Sequence, residues 1–359
     1  MGLVTDSIAL LKPYEPGKPV EELARERGIA NAIKLASNEN PLGPSPLAVA
    51  ALGQAVTALH RYPDAAQYAL RQKLALHLGV SASEIALGAG SNELIDLIVR
   101  TFCTAQHHLV FAEPSFVVYR MAALAHGVPF TAVPLADYRH DLPAMAAAVQ
   151  GDTRVLFVAN PNNPTGTYVT RDELVRFLKQ APRDVIVVLD EAYIEYADAE
   201  DFPDALKLRE LHPRLISLRT FSKIHGLAAL RLGYAVAAPE IVHYLDCVRA
   251  PFNVNSMAQA AGLAALDDVE HVSKSRMLNQ RERERLTGGL GSRGVRVVPS
   301  QANFILIDLA RPAQPIYQAL LEKGVIVRPM PALPTCLRVT LGLPEENDRF
   351  LGALLEVLP

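Results

Sequence analysis

Cysteine is scarce in this chain, and what there is supports no covalent framework. Cys103, Cys247 and Cys336 are odd in number, widely spaced and without a CxxC pair. Neither a disulfide scaffold nor a zinc site is indicated, and the three read as reduced, mostly buried thiols. Basic blocks are missing as well. Thirty-five Lys and Arg stand against thirty-eight Asp and Glu, a formal net charge of -3, and no cluster has the density of a nucleic-acid footprint. The expected partners are therefore small molecules, with no nucleic acid and no membrane. No apolar run reaches the roughly 20 residues that span a bilayer. The opening stretch MGLVTDSIALLKPYEPGKP has no basic flank before its weak apolar run and prolines after it, unlike a secretory signal, so a cytoplasmic location is expected by elimination. Internal repeats, low-complexity tracts and stretches of disordered composition are also lacking.

What remains is globular. Half of the 359 residues are hydrophobic, and the length exceeds the ~250 to 300 residues at which a single core stops growing, so two domains are expected. Between about 84 and 238, apolar runs alternate with helical patterns: LVFA (109–112), RVLFVA (154–159), VIVVLD (185–190) and LISLRT (215–220). Continuous apolar strands of this kind belong to a mostly parallel sheet covered on both faces by helices, the α/β class, whose ligands gather at the carboxyl ends of strands. Thr170 and Glu173 have capping-box spacing and predict a helix start just after NPNNPTGTYV, which leaves Asn163 on a loop leaving a strand. Beyond Ala250 a charged helix over roughly 267–290 leads into short strands around NFILID, VIVRPM and LRVTLG, a smaller α+β domain. The Pro- and Gly-rich start reads as an arm crossing between the two.

Several polar residues fall where such a sheet meets its ligand. In FSKIHGLAALRLGY (221–234), Lys223 sits beside Ser222 with Arg231 following. The grouping suits an aldehyde cofactor carrying a phosphate: a lysine amine condenses with an aldehyde to a Schiff base, while the hydroxyl and guanidinium hold the phosphate. Asp190 ends the most apolar strand, where a carboxylate can keep a pyridine nitrogen protonated and so maintain the electron sink of amino-acid chemistry; an aspartate capping its loop is the plainer alternative. Asn163 and Tyr193 belong to neighbouring strand ends and are able to hydrogen-bond a phenolic oxygen, although NNPTG is also a good turn former in its own right. GAGSNELIDLIVR (88–100) runs from a glycine turn into a helix with Ser91 or Asn92 as its expected cap, and free N–H groups at that start make a phosphate cradle.

Together these residues resemble the fold type I aminotransferases that use pyridoxal 5'-phosphate, and among them the histidinol-phosphate aminotransferase family. The resemblance spans nearly the whole chain: PYEPGKP, LASNENPLGPSP (35–46), RYPD (61–64), GAGSNELI, NPNNPTG, DEAYIEY, the Lys223 segment, QANFIL (301–306) and LRVTLGLPEEN (337–347). It implies an N-terminal arm over 1–44, a large cofactor-binding domain over 45–248 and a small C-terminal domain over 249–359. It also implies that Lys223 carries the cofactor and shuttles the proton, that Asp190 pairs with the pyridinium, and that Asn163 and Tyr193 contact the ring oxygen. Gly90, Ser91, Asn92, Ser222 and Arg231 would bind the phosphate, and Phe116 would stack on the ring, where relatives often have tyrosine. Arg338 matches the arginine that grips the substrate anion, with Arg328 as a second candidate. Tyr62 matches a tyrosine lent across a homodimer to the neighbouring subunit's cofactor phosphate, and Tyr14 and Asn40 match residues that close over the substrate.

The implied reaction transfers the amino group of glutamate to a keto phosphate, giving L-histidinol phosphate from imidazole acetol phosphate in histidine biosynthesis. An aromatic amino-acid aminotransferase shares the same motifs and is the nearest rival; a phosphothreonine decarboxylase is a third reading. A non-catalytic protein that senses the cofactor or a metabolite is the alternative from another class, and the intact set Asn163, Asp190, Tyr193, Lys223, Arg231 and Arg338 speaks against it.

Overall fold

The computed structural model describes residues 3–29 and 31–358; Met1, Gly2, Ala30 and Pro359, at which the expected 1–44 and 249–359 units begin, continue or end, lie outside them. Seven strands form one sheet in the order Ile85–Gly88, Gly233–Val236, Leu215–Thr220, Ile186–Asp190, Thr153–Ala159, His108–Glu113, Phe130–Pro134. Neighbours run parallel except at Gly233–Val236, which is antiparallel to both of its partners. All four apolar runs identified above are strands of this sheet.

Burial on both faces explains why those runs lack polar alternation. In Ile186–Asp190, Ile186 and Val188 pack on one face with Phe157, Ile216 and Leu218, while Val187 and Leu189 pack on the other with Val158, Leu174 and Phe177. Successive side chains of a strand point to opposite faces, so a strand covered twice must be apolar throughout. The helix Arg171–Gln180 on the second face starts as expected: Thr170 accepts from Glu173 N and Glu173 accepts from Thr170 N, a complete capping box.

A second sheet of four antiparallel strands, in the order Arg328–Pro329, Cys336–Thr340, Phe304–Asp308, Arg296–Val298, is covered by helices Val269–Gly291, Ala313–Glu322 and Pro344–Val357. Two details differ from the reading of the sequence. VIVRPM is not one strand: Val325–Ile326 pairs in parallel with Ile33–Lys34, and Arg328–Pro329 pairs with Cys336–Thr340 instead. The helix Ser256–Ala265 packs with the large sheet's side of the molecule. Its Ala258, Ala261 and Ala265 join Ala48, Leu70, Leu74 and Phe221 in one core, because a face of small residues lets it lie close against helix Pro46–Ala55.

Candidate active site

Three adjacent parallel strands end together. Ala159 pairs with Asp190 and Asp190 with Leu218, so the loop carrying Asn163, the carboxylate of Asp190 and the turn carrying Lys223 open at one edge of the sheet. A cleft of about 430 Å³ lies there, between the two sheets. Its lining includes Lys223, Asp190, Asn163, Tyr193 and Phe116 from the large sheet's side, Ser91, Asn92, Ser222 and Arg231 at one end, and Tyr14, Arg328 and Arg338 opposite. Four cations and one carboxylate among these residues make the cleft suited to anions. Among the described residues no group of three or more His, Cys, Asp or Glu could hold a metal ion.

Asp190 is 4 % exposed. Its Oδ2 accepts from the Tyr119 hydroxyl at 2.8 Å and its Oδ1 from Ala192 N at 3.2 Å. Burial nevertheless outweighs those donors and raises its carboxyl to about 6. Tyr119 was not singled out in the sequence. It is fully buried, stacks on Phe157 at 4.7 Å and meets Phe116 edge-on at 5.8 Å; its one signal in the sequence is its place three residues after Phe116. Lys223 Nζ donates to the carbonyls of Ser37 at 3.4 Å and Asn38 at 3.3 Å and lies 5.6 Å from the Tyr193 ring centre. Burial first, then the Arg338 charge, lowers its amine to about 8. The free base is thus accessible near neutral pH, as a nucleophilic and proton-moving lysine requires.

At the anion end, Arg231 Nη1 donates to Ser222 Oγ at 3.2 Å and to Ala228 O at 2.9 Å. The helix Ser91–Phe102 begins here, but the cap is Gly90 rather than Ser91 or Asn92. The physical reason is conformational: Gly90 has φ +80° and ψ 166°, a backbone region essentially reserved for glycine, with the Arg231 guanidinium packed close beside it. Bare backbone therefore lets the arginine close on the helix start, whose free N–H groups add to its positive charge.

Across the cleft, Arg338 is 9 % exposed. Its Nη1 donates to Asn163 Oδ1 and its Nη2 to Ala36 O, both at 2.6 Å, while Nε has no partner. No carboxylate of the described residues forms an ion pair with it, and burial lowers its pKa. A buried guanidinium without a counter-charge is a place for an anionic ligand. The bond from Arg338 occupies Asn163 Oδ1 and leaves Nδ2 free to donate into the cleft. Arg328 also lines the cleft, yet its fork is engaged by the carbonyls of Pro16 and Glu15, so here it anchors the arm. Tyr14, on that arm, is 56 % exposed.

Two of the expected residues do not line this cleft, and one of them, Tyr62, is expected at a neighbouring subunit's site instead. Asn40 does not line the cleft: its Nδ2 donates to Ile224 O and Ser275 Oγ, each at 2.8 Å, and its Oδ1 accepts from Leu42 N. With both side-chain polar atoms engaged, it braces the turn beside Lys223. The asparagine that does reach the cleft is Asn38, two residues earlier, whose Nδ2 donates to the Tyr193 hydroxyl at 3.0 Å. Tyr62 is 82 % exposed, stacks on Phe252 at 4.6 Å and takes no part in this chain's own cleft.

The chain as a whole is similar to known proteins. The family model for aminotransferase class I and II matches residues 30–354. Histidinol-phosphate aminotransferase 2 of Pseudomonas aeruginosa is 51 % identical, over 100 % of this chain and 98 % of its own length. Histidinol-phosphate aminotransferase of an Anaeromyxobacter species is 50 % identical, over 100 % of both chains. The crystal structure of histidinol-phosphate aminotransferase from Sinorhizobium meliloti in complex with pyridoxal-5'-phosphate superposes with a TM-score of 0.91 at 31 % identity, covering 100 % of this chain and 98 % of that one.

Proposed function

The chain belongs to the class I and II aminotransferases, and we propose that it is a pyridoxal-phosphate enzyme transferring an amino group between L-histidinol phosphate and 2-oxoglutarate, giving imidazole acetol phosphate and L-glutamate, in histidine biosynthesis. The observation that carries this reading is Arg338, a buried fork with an orphaned Nε and no carboxylate partner among the described residues, facing the cleft opposite Asp190 and Lys223. Half-identity along the whole chain to proteins of that name supports the same substrate.

The residues fit the cofactor. Ser222, Arg231 and the helix start behind Gly90 would hold its phosphate, and the glycine supplies the positive φ from which that helix starts. When bound, the pyridoxal group supplies an aldehyde for amine exchange and a ring that draws electrons from the substrate's α-carbon. Asp190, kept from other cations by burial, holds a proton on the ring nitrogen. Tyr193 and the free Nδ2 of Asn163 would donate to the ring oxygen, and Phe116 would offer its aromatic face to the ring. Lys223 binds the cofactor and, as a free amine, moves the proton at the α-carbon. Arg338 takes the carboxylate of glutamate and the phosphate ester of histidinol phosphate in turn, since both anions accept a planar fork. Arg328 and Tyr14 would complete that wall as the arm settles on the substrate.

The active unit is a homodimer in this reading. Tyr62, with Val56, Leu59 and Tyr68, forms the exposed apolar stretch through which a second copy would lend its tyrosine; a monomer in sedimentation velocity at micromolar concentration would contradict it. A cytoplasmic site accords with three free cysteines and with no described helix long and apolar enough to cross a membrane. The deciding experiment follows the visible absorbance of the loaded protein: glutamate should shift the band, and kcat/KM for histidinol phosphate should exceed that for phenylalanine, each with 2-oxoglutarate. An unshifted band rules out transamination, and a preference for phenylalanine rules out the substrate.

A further inference from the structure

Asn38 is 1 % exposed and has φ +56°, in the left-handed region that few side chains other than asparagine tolerate. Each of its polar atoms is engaged. Its N–H donates to Thr340 Oγ1 at 2.9 Å, and its carbonyl accepts from Asn303 Nδ2 at 3.0 Å and from Lys223 Nζ at 3.3 Å. Its Oδ1 accepts from the Thr340 hydroxyl at 3.0 Å, and its Nδ2 donates to the Tyr193 hydroxyl at 3.0 Å. Thr340 decides which way round the amide stands: its single hydrogen needs an acceptor, and a flipped amide would leave that hydrogen orphaned in a buried place. An amide NH2 only donates. The Tyr193 oxygen must therefore accept from Asn38, and the tyrosine's own hydrogen is turned away from Asn38, toward the cleft.

We propose that Asn38 is a positioning residue, fixed by Thr340 of the four-stranded sheet, that sets Tyr193 as a hydrogen-bond donor into the cleft and holds Lys223 at its side. Thr340 and Arg338 lie two residues apart on the strand Cys336–Thr340, and so on one face of it. The strand that carries the anion-binding fork thereby also sets the hydrogen-bond polarity at the reacting end. This rests on the reading that the cleft takes a pyridoxal cofactor, whose ring oxygen is the acceptor for Tyr193.

The test is a pH titration of the visible absorbance of the loaded protein, which reports the proton on the Lys223 nitrogen. A donor from Tyr193 draws charge from the ring oxygen; without it that charge holds the nearby proton more tightly, and the midpoint rises. Asn38→Asp keeps the shape and the bond to Thr340 but accepts the tyrosine's proton, reversing the polarity; the midpoint should rise by about one unit. Asn38→Gly keeps the positive-φ backbone and both carbonyl contacts, and Thr340→Val removes the hydroxyl that orients the amide. Both should shift the midpoint the same way by less, with kcat falling about tenfold and KM for glutamate within threefold. Thr340→Ser should restore the native midpoint. Variants that bind cofactor and titrate as the wild type overturn the inference, and they do so even if activity falls, since a merely structural residue would leave the midpoint unmoved. Should Asn38→Asp not fold, the glycine and valine variants decide. A wild-type protein that shows no visible band fails the functional reading instead.

Discussion

On the side of the seven-stranded sheet the buried charge facing the cleft is a carboxylate, Asp190; on the side of the four-stranded sheet it is a guanidinium, Arg338. Neither has an ion-pair partner among the described residues. Each is held by dipoles: Asp190 by the Tyr119 hydroxyl and Ala192 N–H, Arg338 by the Asn163 and Ala36 oxygens. Burying a charge without its opposite destabilises a protein, so both walls are incomplete alone. What completes them is a ligand positive at one end and negative at the other. The walls also differ in origin. The sheet side draws its residues from three consecutive strand ends, whereas Arg338 meets Ala36 across 302 residues of sequence.

Lys223→Ala strikes the sheet side at its center and has the largest expected effect, a loss of turnover of at least about a thousandfold with cofactor still retained by the phosphate end. Steady-state assay and near-ultraviolet circular dichroism measure both; near-native turnover would remove Lys223 from the chemistry. Arg338→Lys tests the opposite wall. Loss of the fork should lower kcat/KM for glutamate and for histidinol phosphate alike, by about 30- to 100-fold. If only one substrate suffers, the two anions do not share the site.

The remaining effect is on stability. Burial raises Asp190 to about 6, so the stability it contributes is complete below about 4 and lost as pH rises through about 6. Burial and Arg338 lower Lys223 to about 8, so its contribution is complete above about 10.5 and lost as pH falls through about 8. Both groups are charged and unfavourable between about 6 and 8, by about 3 kcal/mol for Asp190. The rise in Tm on adding cofactor should be largest in that window. A rise independent of pH from 5 to 9 would mean that the ligand does not relieve these charges.

The sheet side was legible because an apolar run that stops at a polar residue announces a strand end: VIVVLD leads to Asp190, and RVLFVA to the Asn163 loop. The other wall was less so. Asn38 and Asn40 stand in one motif, SNEN, and nothing in their residue type separates them; what does is the positive φ at Asn38 and the Thr340 hydroxyl 302 residues away. VIVRPM reads as one short strand segment, yet a partner strand from the arm claims its first half and the small sheet its second. Residue type alone favours Ser91 or Asn92 as the helix cap; the positive φ that assigns it to Gly90 is a property of the folded backbone.

The turn after Lys223 meets the arm with no side chain between. Gly226, at φ +67°, faces the carbonyl of Gly43, and a Cβ on it would collide with that backbone. For an engineer who wants this scaffold to move a different amine, the junction divides the molecule into permitted and forbidden ground. Libraries belong on Tyr14, whose side chain is exposed, while Arg328, which ties the arm down through the Pro16 and Glu15 carbonyls, and position 226 stay fixed.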